Sequence, residues 1–307
     1  MHTHPVRRLG LVVAATAATF LGSHLGTSAP GATLLAHPDS TRLAALASAS
    51  SASAPPPIKV RCIHDATAPA FQLVYGYPQD RGSRIGDAAA TIRREIEVAN
   101  GLVFAAGRAS SAHWDVRLRV RCTADDVPTI RGFALSRNGD DASGETFAQI
   151  VAAARKAGLD DPDTKYVVFW DSPVGGVCGQ GEMHLDDRRA ASNANNQGDT
   201  FAAVFGRSCW LGAVAMHEIG HTMGAVENSA PHATGAEHCN QQQDVMCYAD
   251  GGPHGHSADL VTACSSIQRF DCRQDDYFRV GATSGYLSTH WNLGWTENRF
   301  LSFVHTP

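Results

Sequence analysis

The run His217-Glu218-Ile219-Gly220-His221 constrains this chain more than any other feature of it. Two histidines four residues apart project from one face of a helix. That spacing lets two neutral imidazoles bind a single zinc ion. Glu218, beside the first histidine, can reach water at the metal without ligating it, the arrangement of a zinc hydrolase with glutamate as general base. Three specified residues recur by chance on the order of once in 8,000 positions, so the context matters. The competing reading is a buried helix with two structural histidines. Against it, residues 211–216 (Leu-Gly-Ala-Val-Ala-Met) are apolar and would plant the helix in a core. Gly224 follows three residues after His221, where a chain leaving a helix sharply needs a residue tolerant of positive φ.

The compartment is read from the N-terminus. Arg7 and Arg8 precede an apolar run over 9–21, and the small residues Gly26-Thr27-Ser28-Ala29 follow. Basic, apolar and then small is the order of a secretory signal, and the run is too short for a span of about 20 residues. We expect a signal peptide over 1–29 and an Ala/Ser/Pro-rich linker or short pro-segment over 30–57, too poor in large apolar residues to fold alone. A single catalytic domain is expected over 58–307. All eight cysteines lie beyond the linker. An even count in an exported chain favours disulfides. Pairing by sequence neighbourhood gives 62 with 122, 178 with 209, 239 with 247 and 264 with 272. The formal net charge of −5 and the lack of a basic aromatic patch argue against a nucleic-acid partner.

Periodicity supplies the elements. Strands are expected over 59–62, 71–75, 114–121 (with one solvated face), 166–170 and 200–205, the last at the sheet edge. Helices are expected over 87–106, 144–158 and 211–223, and a polar loop over 186–198. Several other groups read as solvated surface. They are His254 and His256 in a Gly-Pro-rich stretch, Asp271, Asp275 and Asp276 without calcium-ligand spacing, Gly179-Gln180-Gly181, Ser172 and Ser208.

The stretch 217–224 resembles the metzincin signature, a zinc helix followed by a glycine turn. Asp244-Val245-Met246-Cys247-Tyr248 looks like the metzincin Met-turn, and the resemblance implies that Tyr248, two residues after the methionine, assists the transition state. The third metal ligand departs from the pattern, because Glu227 stands where histidine is usual. His232 and His238 lie between Gly224 and the Met-turn. A similar histidine–cysteine pair, His238-Cys239 here, stands at that distance from the methionine in archaemetzincins. His238 is preferred over Glu227 and His232, imidazole being the commoner zinc ligand. Asp275-Asp276-Tyr277-Phe278 and Tyr286-Leu287-Ser288-Thr289-His290-Trp291-Asn292 resemble a group of secreted actinobacterial proteins, a likeness that carries no chemistry.

These readings converge on an α/β, metzincin-like (zincin) fold: a twisted mixed sheet with helices and an irregular, disulfide-tied C-terminal lobe. The expected protein is a secreted, extracellular, monomeric zinc (Zn2+) endopeptidase acting on protein or peptide substrates, away from nucleic acid and membrane. Metal ligands would be His217, His221 and His238, with Glu218 as base and Tyr248 as its helper. The rivals are a non-catalytic secreted zinc-binding protein of the same fold, and a zinc amidase acting on cell-wall peptides.

Overall fold

The computed structural model describes residues 56–136, 146–264 and 268–307. The expected signal peptide, and all but the last two residues of the expected linker, lie outside these. One eight-stranded sheet organises the rest. Its strands are β1 (Arg61–Ile63), β2 (Ala70–Pro78), β3 (Trp114–Arg121), β4 (Ile130–Leu135), β5 (Thr164–Trp170), β6 (Gly179–Gly181), β7 (Thr200–Phe205) and, last in the chain, β10 (Leu301–His305). The spatial order is β1-β3-β2-β5-β7-β6. Pairing is parallel except at two places, β10 against β3 and β6 against β7. A short parallel pair, β8 (Gln241–Gln242) with β9 (Val261–Thr262), stands apart.

Three helices cover the sheet: α1 (Ile85–Ser110), α2 (Phe147–Lys156) and α3 (Gly212–Thr222). Alternation along the strands sorts the core into two layers, since successive strand side chains point to opposite faces. Phe71, Leu73 and Tyr75 of β2 meet α1 through Ile92, Ile96, Ala99 and Val103, and α3 packs into the same cluster. On the other face Val74, Tyr166, Val168, Trp170 and Phe205 pack on Ile150, Val151 and Ala154 of α2. Helix α2 begins in a capping box, Thr146 with Gln149, and stops before Gly158 at φ +77°.

The structure corrects the sequence reading in four places. Asp271, Asp276 and Ser172, expected on the solvated surface, are buried, the first two because the C-terminal lobe folds over them. Strand β7 is not at the edge, because Gly179-Gln180-Gly181, taken as solvated surface, forms β6 outside it. Two of its three residues are glycine, which is depleted in strands, so its composition carries no strand signal. Strand β4 escaped notice because only Phe133 of it is buried, so it shows no clear alternation. The C-terminal lobe is irregular as expected, yet its last segment returns to the sheet as β10 beside β3. All four disulfides join the expected partners, Cys62–Cys122, Cys178–Cys209, Cys239–Cys247 and Cys264–Cys272.

Candidate metal centre

Helix α3 lacks a side-chain cap of its own at its N-terminus. Glu95 of α1 supplies one: its Oε2 accepts from the Gly212 N–H at 2.7 Å. At the other end the buried Lys165 Nζ donates to Thr222 O at 2.6 Å and to Thr200 Oγ1 at 3.0 Å. Trp291 Nε1 donates to Met223 O at 2.7 Å. An anion at the N-terminus and a cation donor at the C-terminus both complement the helix dipole. Burial pushes the Lys165 ammonium down to about 7. The helix is therefore clamped at both ends by residues distant in sequence.

Met246 lies directly beneath the helix. A Cβ on Gly220 would stand 2.6 Å from Met246 Sδ, so glycine is required by the close approach. Gly224 turns the chain out at φ +81°. The chain then runs through turns to His238, whose neighbour Cys239 is bonded to Cys247 beside Met246. That bridge seats His238 opposite the helix.

The rings of His217, His221 and His238 converge. His217 and His238 stack with centroids 5.2 Å apart, and His221 stands edge-on to them at 4.8 and 4.9 Å. One nitrogen from each lies within 4.8 Å of the others. His217 Nδ1 faces Val245 O at 2.7 Å, so it carries its proton outwards and leaves the Nε2 lone pair facing in. His238 Nδ1 is likewise engaged, by Asp250 Oδ2 at 3.0 Å. His217 Nε2 and His221 Nε2 stand 3.2 Å apart. Two nitrogens bound at about 2.0–2.1 Å to one tetrahedral ion would be about 3.3 Å apart. Burial, with His238 alongside, pushes His217 down to about 3, and His221 is lowered by the same causes. The two helix imidazoles, His217 and His221, are thus neutral, the form that ligates. The donor set fits a zinc-type ion.

Glu218 is 5% exposed and its carboxylate lies against the Gly179 backbone of β6. Burial raises its pKa. Gly181 lies as closely against Glu218 O and His221 Cβ, at 2.6 and 2.8 Å from where its own Cβ would be. Both glycines face α3, so β6 can lie flat over the helix. The Tyr248 ring sits 4.3 Å from that of His238 and 5.8 Å from that of His217. Burial and the nearby Glu218 raise its hydroxyl pKa. These groups line a cleft of about 280 Å³ with Leu211, Val214 and Glu237 on its walls.

The other third-ligand candidates are elsewhere. Glu227 Oε1 accepts from Asn195 Nδ2 at 3.0 Å and Asp186 N–H at 3.2 Å. His232 faces Asp276. His254 and His256 are exposed, as expected, on a loop whose glycines make room for Asp250. Asp271 spends its carboxylate on the N–H groups of residues 275–278. Two parts of the site went unnoticed in the sequence. One is Asp250, an acid four residues after the methionine; the other is β6, whose glycines lie against the zinc helix and gave no strand signal in the sequence.

A twisted mixed sheet carrying a clamped His-Glu-x-x-His helix over a buried methionine defines a metallopeptidase catalytic domain. The model of the metallo-peptidase family M12B, reprolysin-like, matches residues 82–265, and the chain belongs to that family. Similar solved structures include OgpA from Akkermansia muciniphila, at 12% identity, 76% of this chain, 70% of that one and a TM-score of 0.35. Metalloproteinase-II from Bacteroides fragilis matches at 17% identity, 77% of this chain, 71% of that one and a TM-score of 0.32. A chaperone–substrate complex matches at 15% identity and a TM-score of 0.29; 53% of this chain is covered, but only 26% of that one. No protein of curated function matches the sequence.

Proposed function

We propose that the chain is a secreted zinc endopeptidase whose metal is held by His217, His221 and His238. The observation that carries this reading is the convergence of the three imidazoles beside Glu218 in one cleft. When bound, zinc polarises the scissile carbonyl and lowers the pKa of water towards about 7. Glu218 takes the proton from the attacking water and passes it to the leaving amine. Its desolvated carboxylate holds protons more readily than an exposed one, which suits both halves of that transfer. The Tyr248 hydroxyl stays protonated and donates to the developing oxyanion. Strand β6 pairs only with β7 among the described strands. An extended peptide added along its other edge would place the scissile bond over the histidines.

Export is supported by the four disulfides and by the basic, apolar and small order of the first 29 residues. No helix among the described residues is long and apolar enough to cross a membrane. Residues 1–29 are proposed to be removed and 30–57 to link or precede the catalytic domain at 58–307.

Glu218→Gln tests the mechanism. Zinc content should stay at the wild-type level while hydrolysis of a generic protein substrate falls about 10²–10⁴-fold. A variant that keeps most of its activity would remove Glu218 from its role. A wild type that binds zinc and cleaves no protein would leave the non-catalytic reading standing.

A further inference from the structure

His232, displaced from the catalytic centre, meets two carboxylates of its own. Its Nδ1 lies 3.0 and 3.1 Å from the two oxygens of Asp276 and 3.6 Å from Asp275 Oδ1. Asp276 has a side chain fully removed from solvent. Asp275 Oδ1 is also shielded from solvent and has no hydrogen-bond donor. Donors about 2.1 Å from one ion, at octahedral or tetrahedral angles, stand roughly 3.0 to 3.4 Å apart. The His232–Asp276 distances match that spacing, the His232–Asp275 distance is slightly longer, and one ligand atom from each of the three residues lies within 4.8 Å of the others.

The charge balance points the same way. An ion pair between a protonated His232 and Asp276 would leave the second carboxylate uncompensated, with an oxygen out of reach of water. No lysine or arginine among the described residues forms an ion pair with Asp275, Asp276, Asp187 or Glu227. Burial first, and then the charges of Asp187, Glu227 and Asp276, raise the pKa of the Tyr286 phenol. Asp276 is buried and Asp275 half-exposed, so a cation held between them would offset the desolvation of Asp276 and give the shielded Asp275 Oδ1 a partner.

The loop is also built in advance. Asp271, at φ +57°, accepts from the Asp275 N–H at 3.1 Å and from the Asp276, Tyr277 and Phe278 N–H groups at 3.2, 2.7 and 2.6 Å. The His232 N–H donates to Asp276 Oδ1 at 2.9 Å, which fixes the histidine's own backbone. Asp271 thus positions the backbone of residues 275–276, and Asp276 in turn positions the backbone of His232.

We propose that His232, Asp275 and Asp276 form a second metal site for a zinc-type divalent ion, separate from the catalytic centre. The imidazole selects against calcium and magnesium, which take oxygen ligands. Such an ion would staple the segment leaving the zinc helix to the C-terminal lobe at residues 275–276. It is a structural site, with no step in peptide hydrolysis.

The test is metal stoichiometry on the purified protein, dialysed against micromolar zinc and then metal-free buffer. Wild type should hold two zinc ions per chain. His232→Ala should hold one, and so should Asp275→Asn, a change at a half-exposed side chain that leaves the core intact. The double variant His217→Ala/His221→Ala should also hold one, and lose it when His232→Ala is added. One ion in wild type, or two ions in both His232→Ala and Asp275→Asn, overturns the proposal. Neither result bears on Glu218→Gln, so this site and the catalytic reading stand or fall separately.

Discussion

Replacing Asp250 asks how much of the catalytic metal's affinity comes from a residue that never touches it. Asp250 is nearly buried, with 5% of its side chain exposed. Its Oδ2 accepts from His238 Nδ1 at 3.0 Å and from Thr234 Oγ1 at 2.5 Å, and its Oδ1 accepts from the Gly252 N–H at 2.9 Å. Burial works against the charged form, but the bonds from His238, Thr234 and Gly252 outweigh it and hold the carboxyl below its ordinary range. The carboxylate keeps the proton of His238 on Nδ1, which leaves Nε2 free to ligate. Partners of this kind contribute about 10- to 100-fold to metal affinity, or roughly 1.4–2.8 kcal/mol. Asp250→Ala removes both acceptor oxygens and all three hydrogen bonds, and zinc affinity should fall about 100-fold. Asp250→Asn keeps the shape but turns an N–H against a donor, Gly252 in one orientation or His238 and Thr234 in the other. About 10-fold is expected there. Competition against a chromophoric zinc chelator reads the affinity, and thermal unfolding of the metal-free proteins reads the fold. An Asp250→Ala variant that unfolds like wild type without metal and binds zinc within twofold of it would refute the reasoning.

Three further outcomes follow from the geometry. Gly220→Ala should lower stability by about 1–3 kcal/mol, because its Cβ would crowd Met246 Sδ; denaturant unfolding reads this, and no change would mean that the methionine is free to move. Gly181→Ala should depress turnover while leaving zinc content intact, because the new methyl must displace His221 Cβ or Glu218 O; steady-state kinetics with metal analysis checks it. Lys165 has a folded pKa of about 7 against about 10.4 unfolded, so between these values the unfolded chain binds more protons. Wild-type stability relative to Lys165→Met should therefore rise from pH 7 towards pH 10, by at most about 1.4 kcal/mol per pH unit, and a flat difference would show that the amine is charged throughout.

What the sequence determined by itself is local. The zinc helix, the alternating strand β3, the long helix α1 and the two short-loop disulfides, Cys239–Cys247 and Cys264–Cys272, were legible because each depends on a short period or on neighbourhood along the chain. His217 and His221 share a helix face wherever that helix is packed. The family assignment likewise rests on a contiguous stretch, residues 82–265. The third imidazole is different. His238, Glu227 and His232 are all chemically able to ligate, and 16 residues separate His221 from His238 with several turns between them. Only the packed path of that segment, through Gly224 and the Cys239–Cys247 bridge, directs one of them inwards and the others away. Glu95 and Lys165, which clamp α3, come from 117 and 57 residues away in the bonds they make. Strand β6 is recognisable only from its partner β7 and from the helix its glycines rest on. Side-chain period is a property of the backbone, and a few residues reveal it. Convergence of distant side chains is a property of the closed structure, and only the tertiary contacts decide it.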